Sequence, residues 1–454
     1  MLVVEKMRFE LDDIVKALGV KPTGVSAETG FAGVSTDSRT VKSGELFFAI
    51  KGEKFDGHDF IQQAIENGAT GVVVSSDYQS SDIAVFKVED TLYSLGELAS
   101  LVRGYYDFKC AAITGSNGKT TTKEILSACV QSKYQTFKTL GNYNNLIGLP
   151  LSLFQLEGSY EAAVFELGMS VPGEINRLAE ICRPQIGIFT NVAPVHLEYL
   201  GSIEAVAKAK YELIGGLPSD GTVVLNADDK ILSSWVSSLT QKVITYGIES
   251  NSDYKVESYK FNTDGTSEFV LNGQRFMINF PGLHNIYNAA CALAASSAFG
   301  LSLSELSDVL SKIRPYNLRS EIIQQNGITI INDCYNANPT SMKAAIDVLA
   351  SYPAEGRKVA VIGDMLELGR DEVKYHIEIG EYLQANSIDS LFAFGKLAEG
   401  FGENFRGEYK KYYSSKAVLI DDLKKYLQPG DVALIKASHS IALEQVTEAL
   451  MRVS

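Results

Sequence analysis

Residues 112–122 read AITGSNGKTTT, an apolar run closed by two glycines, a lysine and three threonines. The apolar half has the composition of a buried strand, and the TTTKEILSACV that follows reads as a helix. The glycines therefore fall at a strand-to-helix turn. Gly115 and Gly118 permit the close backbone approach and unusual dihedrals that a phosphate-gripping turn needs. Backbone N–H groups at the start of the helix are expected to face the phosphates. Lys119 is expected to reach the β- and γ-phosphates, and the Thr120 hydroxyl to ligate Mg²⁺. The loop departs from the common G-x-x-x-x-G-K-[ST] pattern in having two residues, not four, between its glycines. A glycine turn with a surface lysine is the plainer alternative. The stretch points to a nucleotide and leaves the reaction open.

Outward from this turn the alternation of strand and helix continues. CAAIT, AAVFEL, QIGIFTNV and TVVLNA are apolar enough to lie buried in a parallel sheet. VLNGQRFMINF interrupts them, its Asn272-Gly273 pair marking a tight hairpin, and the alanine-rich helix NIYNAACALAASSAFG follows. On the N-terminal side, MLVVEKMRFELDDIVKALGV reads as a short strand and a helix. Short strands and turns follow, then the helix FIQQAIENGA, the strand GVVVS and the helical TLYSLGELASLVRGYY. On the C-terminal side ITIIND, KVAVIGD, SLFAFG and DVALIKAS alternate with helices, as in a doubly wound, Rossmann-like sheet. The predicted fold class is α/β in three domains. Residues 1–107 form a small α/β unit, 108–314 a central P-loop-type, mostly parallel sheet with helices, and 315–454 the Rossmann-like unit.

Bulk properties agree. A chain of 454 residues is too long for one core. Its apolar runs stay well short of the roughly 20 residues a spanning helix needs, so no membrane is expected. The first residues lack a basic leader with an apolar block and a small-residue cleavage site. The five cysteines are scattered without a CxxC pair, which suits a reducing compartment and argues against a zinc site. A cytoplasmic protein is expected, with a monomer as the working assumption. The net charge of −14, without a long basic run, disfavours nucleic acid as a partner.

SIEAVAKAKYELIGGL narrows the chemistry. As a helix capped by Ser202 it sets Ile203, Val206, Ala207, Leu213, Ile214 and Leu217 on one apolar stripe. Lys210 lies within that stripe, whereas Lys208 points away. A buried ammonium is costly, so its pKa falls. The neutral amine can then add CO₂ to become a carbamate, a bidentate metal-binding anion. The residue type equally allows Lys210 to snorkel to an edge or to pair with a carboxylate. Glu166 at the end of AAVFE and His196 beyond QIGIFTNV fall at strand ends beside the phosphate loop, where both could share a metal with Lys210. His196 could as well be structural.

Together TGSNGKTTTKE, with its shortened loop, and HLEYLGSIEAVAKAK resemble the Mur ligase family of ATP-dependent amide-bond ligases, which extend the peptidoglycan precursor. GNYNNLIGLPLSL, ELGMSVPGEI, TNVAPVHLEYLGS, PGLHNIYNAACALAA, DCYNANPTS and VIGDMLELG are similar to the branch that joins D-alanyl-D-alanine to a UDP-N-acetylmuramoyl-tripeptide. STDSRTVKSGELFFAIKGEKFDGHDF is similar to that family's UDP-holding domain. The resemblance spans about residues 30–440. It implies that Thr114, Gly115, Ser116, Asn117, Gly118, Lys119 and Thr120 bind the ATP phosphates. It implies two Mg²⁺ ions, one on Thr120 and Glu166, the other on His196 and carbamylated Lys210. Asn285 is implied at the adenine, Arg319 at the phosphates and Asp333 at the ribose. Asn142, Asn144 and Asn145 would line the space between ATP and the muramoyl peptide, with Asn336 and Ala337 near the dipeptide. Asp37, Ser38 and Arg39 would bind the UDP phosphates, or simply form a turn. Where the family commonly shows a KGSR-like stretch this chain has KASHS, and Pro315-Tyr316-Asn317-Leu318 precedes Arg319 where a glycine is usual.

The implied reaction activates the tripeptide carboxylate as an acyl phosphate before the dipeptide amine attacks. The competing reading is a P-loop ATPase switch whose output is a conformational change in a macromolecular partner. A nearer rival is a folylpolyglutamate synthase-like ligase, against which the N-terminal segment argues.

Overall fold

The computed structural model describes residues 8–24, 30–52, 54–315 and 318–452, and they form three sheets in chain order. The strand expected at the very N-terminus falls on residues 1–7, and Tyr316 and Asn317 before Arg319 also lie outside the described residues.

The first sheet has four parallel strands, Gly33–Ser35, Glu45–Phe48, Gly71–Val74 and Ala84–Lys87. Phe47 and Phe48 are buried in its core. The helix Thr91–Arg103, capped by Asp90, packs on this sheet and on the helices Gly148–Leu153 and Glu174–Cys182 of the next. One apolar cluster accordingly runs from Phe31 and Phe86 through Leu95 to Leu153 and Leu178. The predicted boundary at 107 lies between this helix and the strand Lys109–Thr114.

The middle sheet has nine strands. Lys109–Thr114 sits between Ala162–Glu166 and Ile186–Phe189, all parallel. Thr136–Lys138 forms one edge, while Thr222–Asn226 and Lys242–Gly247 continue the parallel run on the other side. Tyr254–Phe261, Ser267–Leu271 and Gln274–Ile278 complete the sheet as an antiparallel meander. Asn272 (φ 46°) and Gly273 (φ 75°) turn its last hairpin, as their pairing predicts.

Both faces of the middle sheet's parallel core are covered, which is why Ala162–Glu166 and Ile186–Phe189 are buried along their whole length, whereas the strands of the meander alternate or lie exposed. Ala111 and Ile113 pack with Ile125 and Ala289 on one side, and Cys110 and Ala112 with Leu178 and Val206 on the other. The helix Leu283–Ala298 is rich in alanine because it presses closely on the helix Lys119–Gln131 that follows the glycine turn. Among the described residues no single helix is long and apolar enough to cross a membrane.

The third sheet runs Glu321–Gln325, Ile328–Asn332, Val432–Lys436, Lys358–Gly363, Ser390–Phe394, Tyr409–Tyr413 in spatial order, parallel except for its first strand. Val359 and Val361 face one apolar layer, Ala360 and Ile362 the other. Asp364, just after Lys358–Gly363, accepts the N–H groups of Lys396 and Leu397 in the turn after the neighbouring strand. The helix Pro339–Ser351 takes its cap from Asn338.

Candidate active site

The carboxyl ends of the middle strands and the linker between the second and third sheets converge on the turn after Lys109–Thr114. Two glycines there are irreplaceable for space. A Cβ on Gly115 would stand 1.8 Å from Thr190 Oγ1, and one on Gly118, at φ 80°, 2.1 Å from Asn288 Oδ1. The loop is then pinned from the strand behind it. Ser116 N–H donates to Asn191 O at 2.9 Å, Asn117 N–H to Asn191 Oδ1 at 3.0 Å, and Thr190 Oγ1 to Asn117 O at 2.6 Å. Lys119 Nζ folds back onto the carbonyls of Gly115 (2.8 Å) and Ser116 (3.4 Å). Burial pulls its pKa down, with Arg319 adding to the effect and Glu166 opposing it.

Thr120 and Glu166, both buried, meet at 2.8 Å from hydroxyl to carboxylate. Asn144 Nδ2 donates to the other Glu166 oxygen at 2.8 Å, and Arg319 Nη2 reaches Thr120 Oγ1 at 2.9 Å. Lys123, fully buried one helical turn after Lys119, lies 3.8 Å from Glu166 and donates to the carbonyls of Thr139 (2.9 Å) and Gly141 (3.0 Å). It thereby ties the GNYNN loop to the phosphate helix. Thr114 Oγ1 and Arg319 Nε are buried without a hydrogen-bond partner among the described residues.

Lys210 occupies the predicted place. Its helix, Ile203–Gly215, is capped by Ser202 Oγ, and Val206, Ala207, Leu213 and Ile214 are buried beside it while Lys208 is exposed. Lys210 is 3% exposed. Burial drives its pKa well below the ordinary lysine value, and the Lys119 charge drives it further in the same direction. His196, in left-handed backbone at φ 52°, pairs with Glu367 of the third unit at 2.6 Å rather than with Lys210 or Glu166. Among the described residues no three His, Cys, Asp or Glu side chains form a ready metal cluster. Thr120 and Glu166 nevertheless offer adjacent hard oxygens of the kind Mg²⁺ takes.

A cleft of about 730 Å³, lined by Lys119, Thr120, Glu166, His196 and Arg319 but not by Lys210, reaches the third sheet. Asn285 is buried in its wall, its amide donating to Pro281 O at 2.8 Å and accepting from Asn288 at 3.1 Å. Desolvation holds the neighbouring His284 at a pKa of about 4. Asp333 accepts from Ser320 N–H at 2.9 Å and from buried Lys436 at 2.5 Å, and Lys436 also donates to Asn336 O at 2.8 Å. Asn336 and Ala337 line the same wall. In the GNYNN loop Asn144 holds Glu166, Asn145 accepts from Ile147 and Gly148 N–H at the next helix, and Asn142 O accepts from Asn144 N–H at 2.7 Å.

Asp37, Ser38 and Arg39 stand outside this cleft, on the first sheet. They form a turn in which Asp37 accepts the Arg39 backbone and guanidinium; those bonds lower its pKa to about 2. Ser38 is buried with its hydroxyl on Gln63.

Sequence reasoning passed over Lys123, Thr190, Asn191, Asn288, Tyr335, Asn338, Glu367 and Lys436. Only Lys123 carried a usable signal, a charge one turn beyond Lys119 on the same helix face. The others belong to segments far apart in the chain that the fold brings together.

Three family models cover the chain in order. The Mur ligase family, catalytic domain, matches residues 30–101; the Mur ligase middle domain matches 113–296; and the Mur ligase, glutamate ligase domain, matches 318–439. The UDP-N-acetylmuramoyl-tripeptide–D-alanyl-D-alanine ligase of Bacillus subtilis is 38% identical over 93% of this chain and 94% of its own. A MurF crystal structure from Acinetobacter baumannii superposes with a TM-score of 0.91 at 29% identity, covering 99% of this chain and 100% of that one. MurF ligase from Thermotoga maritima in complex with ADP does so at 0.83 and 30% identity, covering 92% and 96%. With each matched segment falling on one of the three sheets, and a near full-length relative at this identity, the chain belongs to the Mur ligase family.

Proposed function

We propose that this chain joins D-alanyl-D-alanine to a UDP-N-acetylmuramoyl-tripeptide with ATP, as the B. subtilis relative is named for doing. The terminal carboxylate of the tripeptide attacks the γ-phosphorus, the bond to the ADP oxygen breaks, and an acyl phosphate forms. The dipeptide amine then attacks the acyl carbon, gives up a proton, and phosphate departs.

Such a transfer asks the protein for placement and charge screening rather than a nucleophile. Gly115 to Gly118 wrap the phosphates, and Lys119, released from the Gly115 and Ser116 carbonyls, turns to them. Thr120 and Glu166 would hold one Mg²⁺. Carbamylated Lys210 and His196, once exchanged from Glu367, would hold a second. Mg²⁺ supplies neutralisation of the charge on the transferring phosphoryl group. Asn285 would meet the adenine, Arg319 the phosphates and Asp333 the ribose, with Asn142, Asn144 and Asn145 facing the peptide and Asn336 and Ala337 the dipeptide. Asp37, Ser38 and Arg39 would hold the UDP end on the first domain, and closure of residues 315–454 over 108–314 would keep water from the acyl phosphate.

The observation that carries this reading is Lys210: a buried lysine with a lowered pKa behind a phosphate loop is an expensive arrangement unless the amine is converted to an anion. The cytoplasm is the proposed location, consistent with five cysteines that are all buried and free. A phosphate-release assay across UDP-peptides and dipeptides tests the proposal. Release is expected only with both substrates present, and release that instead requires a macromolecular partner identifies an ATPase switch.

A further inference from the structure

Arg319 lies in the linker between the middle and third sheets, after the helix Ser307–Lys312 and before the strand Glu321–Gln325. Its two neighbours both adopt left-handed backbone, Leu318 at φ 63° and Ser320 at φ 50°. Residues with a Cβ rarely do so, and two such positions flanking one side chain form a turn held against its own preference. The holding bonds come from one segment. Tyr335 N–H donates to Leu318 O at 3.1 Å, and Asp333 Oδ1 accepts from Ser320 N–H at 2.9 Å.

The same segment supplies a surface for the side chain. The Arg319 guanidinium carbon stands 3.7 Å from the centroid of the Tyr335 ring. His439, from the KASHS stretch, packs near that ring at 5.7 Å between centroids, tilted by 33°. A guanidinium lying on an aromatic face keeps its N–H edge free for other partners, which an ammonium cannot imitate. Here one edge donor, Nη2, reaches Thr120 in the middle domain, and another, Nε, is buried with no partner among the described residues. A buried donor without an acceptor is costly in a native site and points to an acceptor supplied by a ligand.

We propose that Tyr335 is a positioning residue whose ring face sets the plane of the Arg319 guanidinium, so that Arg319 offers its free donors to the phosphates of bound nucleotide beside Thr120. Because Arg319 belongs to the linker, this also ties nucleotide occupancy to the angle between the second and third domains. The proposal rests on the nucleotide assignment above but not on which substrates are joined.

The test measures ATP affinity by fluorescence titration, with steady-state kinetics alongside. Tyr335→Phe, which keeps the ring face, should stay within about threefold of wild type in ATP affinity, whereas Tyr335→Leu should lose about tenfold. Affinity for the UDP-linked peptide should not change in either variant. Arg319→Lys keeps the charge but not the planar stack, and should lose about as much ATP affinity as the leucine variant. It leaves Tyr335 in place, so it decides the matter even if Tyr335→Leu folds poorly. In the double variant the two losses should not add. Wild-type affinity in Tyr335→Leu or Arg319→Lys, or equal losses in Tyr335→Phe and Tyr335→Leu, would overturn the proposal. A wild-type protein that binds ATP but ligates no UDP-peptide would overturn the substrate reading alone, leaving this comparison intact.

Discussion

Asn338 Nδ2 donates to Asn117 Oδ1 at 2.6 Å, so the phosphate loop of the middle domain and the N-cap of the helix Pro339–Ser351 in the third hold one another across the cleft. The amide of Asn338 does two jobs at once, since its Oδ1 also accepts from Ser341 N–H at 3.0 Å.

Serine at this position retains the cap but cannot span to Asn117, whereas alanine loses both. Asn338→Ala should therefore cost about 1 kcal/mol of stability in urea unfolding, and Asn338→Ser much less. Both should raise KM for ATP alike, because both lose the bridge. A serine variant with wild-type kinetics would show that the bridge has no part in closure.

Lys119→Ala removes the one cation on the loop itself. Phosphate release should fall below detection while the melting temperature changes little, since Lys119 bonds only to its own loop. Turnover near wild type would remove the phosphate assignment.

Lys210→Ala should be inactive and partly rescued by added formate or acetate, which can stand where the carbamate would. Its stability should rise or hold, because burying the lysine ammonium opposes folding. Full activity without any added carboxylate would refute the carbamate.

Acid should destabilise the fold before the carboxylates titrate. His284 has its pKa lowered to about 4 by desolvation, and burial lowers that of His376, whose Nε2 accepts Met365 N–H at 3.1 Å. Both are depressed, so the unfolded chain binds protons that the folded one refuses. The stability is complete above about pH 6.5 and is lost as pH falls towards 4. His284 accounts for at most about 3 kcal/mol, less whatever solvent in the cleft screens. Thermal melts of wild type and His284→Gln between these pH values check the slope, which should be shallower in the variant.

The strands and helices around the glycine turn were readable because each is a local pattern. Two-sided burial makes a parallel strand apolar throughout, and a helix betrays its buried face by spacing alone. Lys210 was readable for the same reason, a charge breaking an apolar stripe whose neighbours are all close in sequence. Glu166 and Thr120 could be nominated from their places at a strand end and a helix start.

What sequence could not supply is partnership. His196 was nominated as a metal ligand, and nothing near it in the chain announces that its imidazole rests on Glu367, 171 residues away. The Tyr335 ring under Arg319 and the Asn117–Asn338 bridge are equally remote pairings, set by how the third domain leans on the second.

The sequence by itself determined the three-domain α/β organisation, the phosphate loop and the misplaced lysine, because those depend on periodicity and on residues within a few turns of one another. Only the tertiary structure decided which side chains share a proton, a ring face or a carboxylate across the cleft. Such contacts arise where chain-distant loops meet, and a pairing between distant segments leaves no periodic trace in either one.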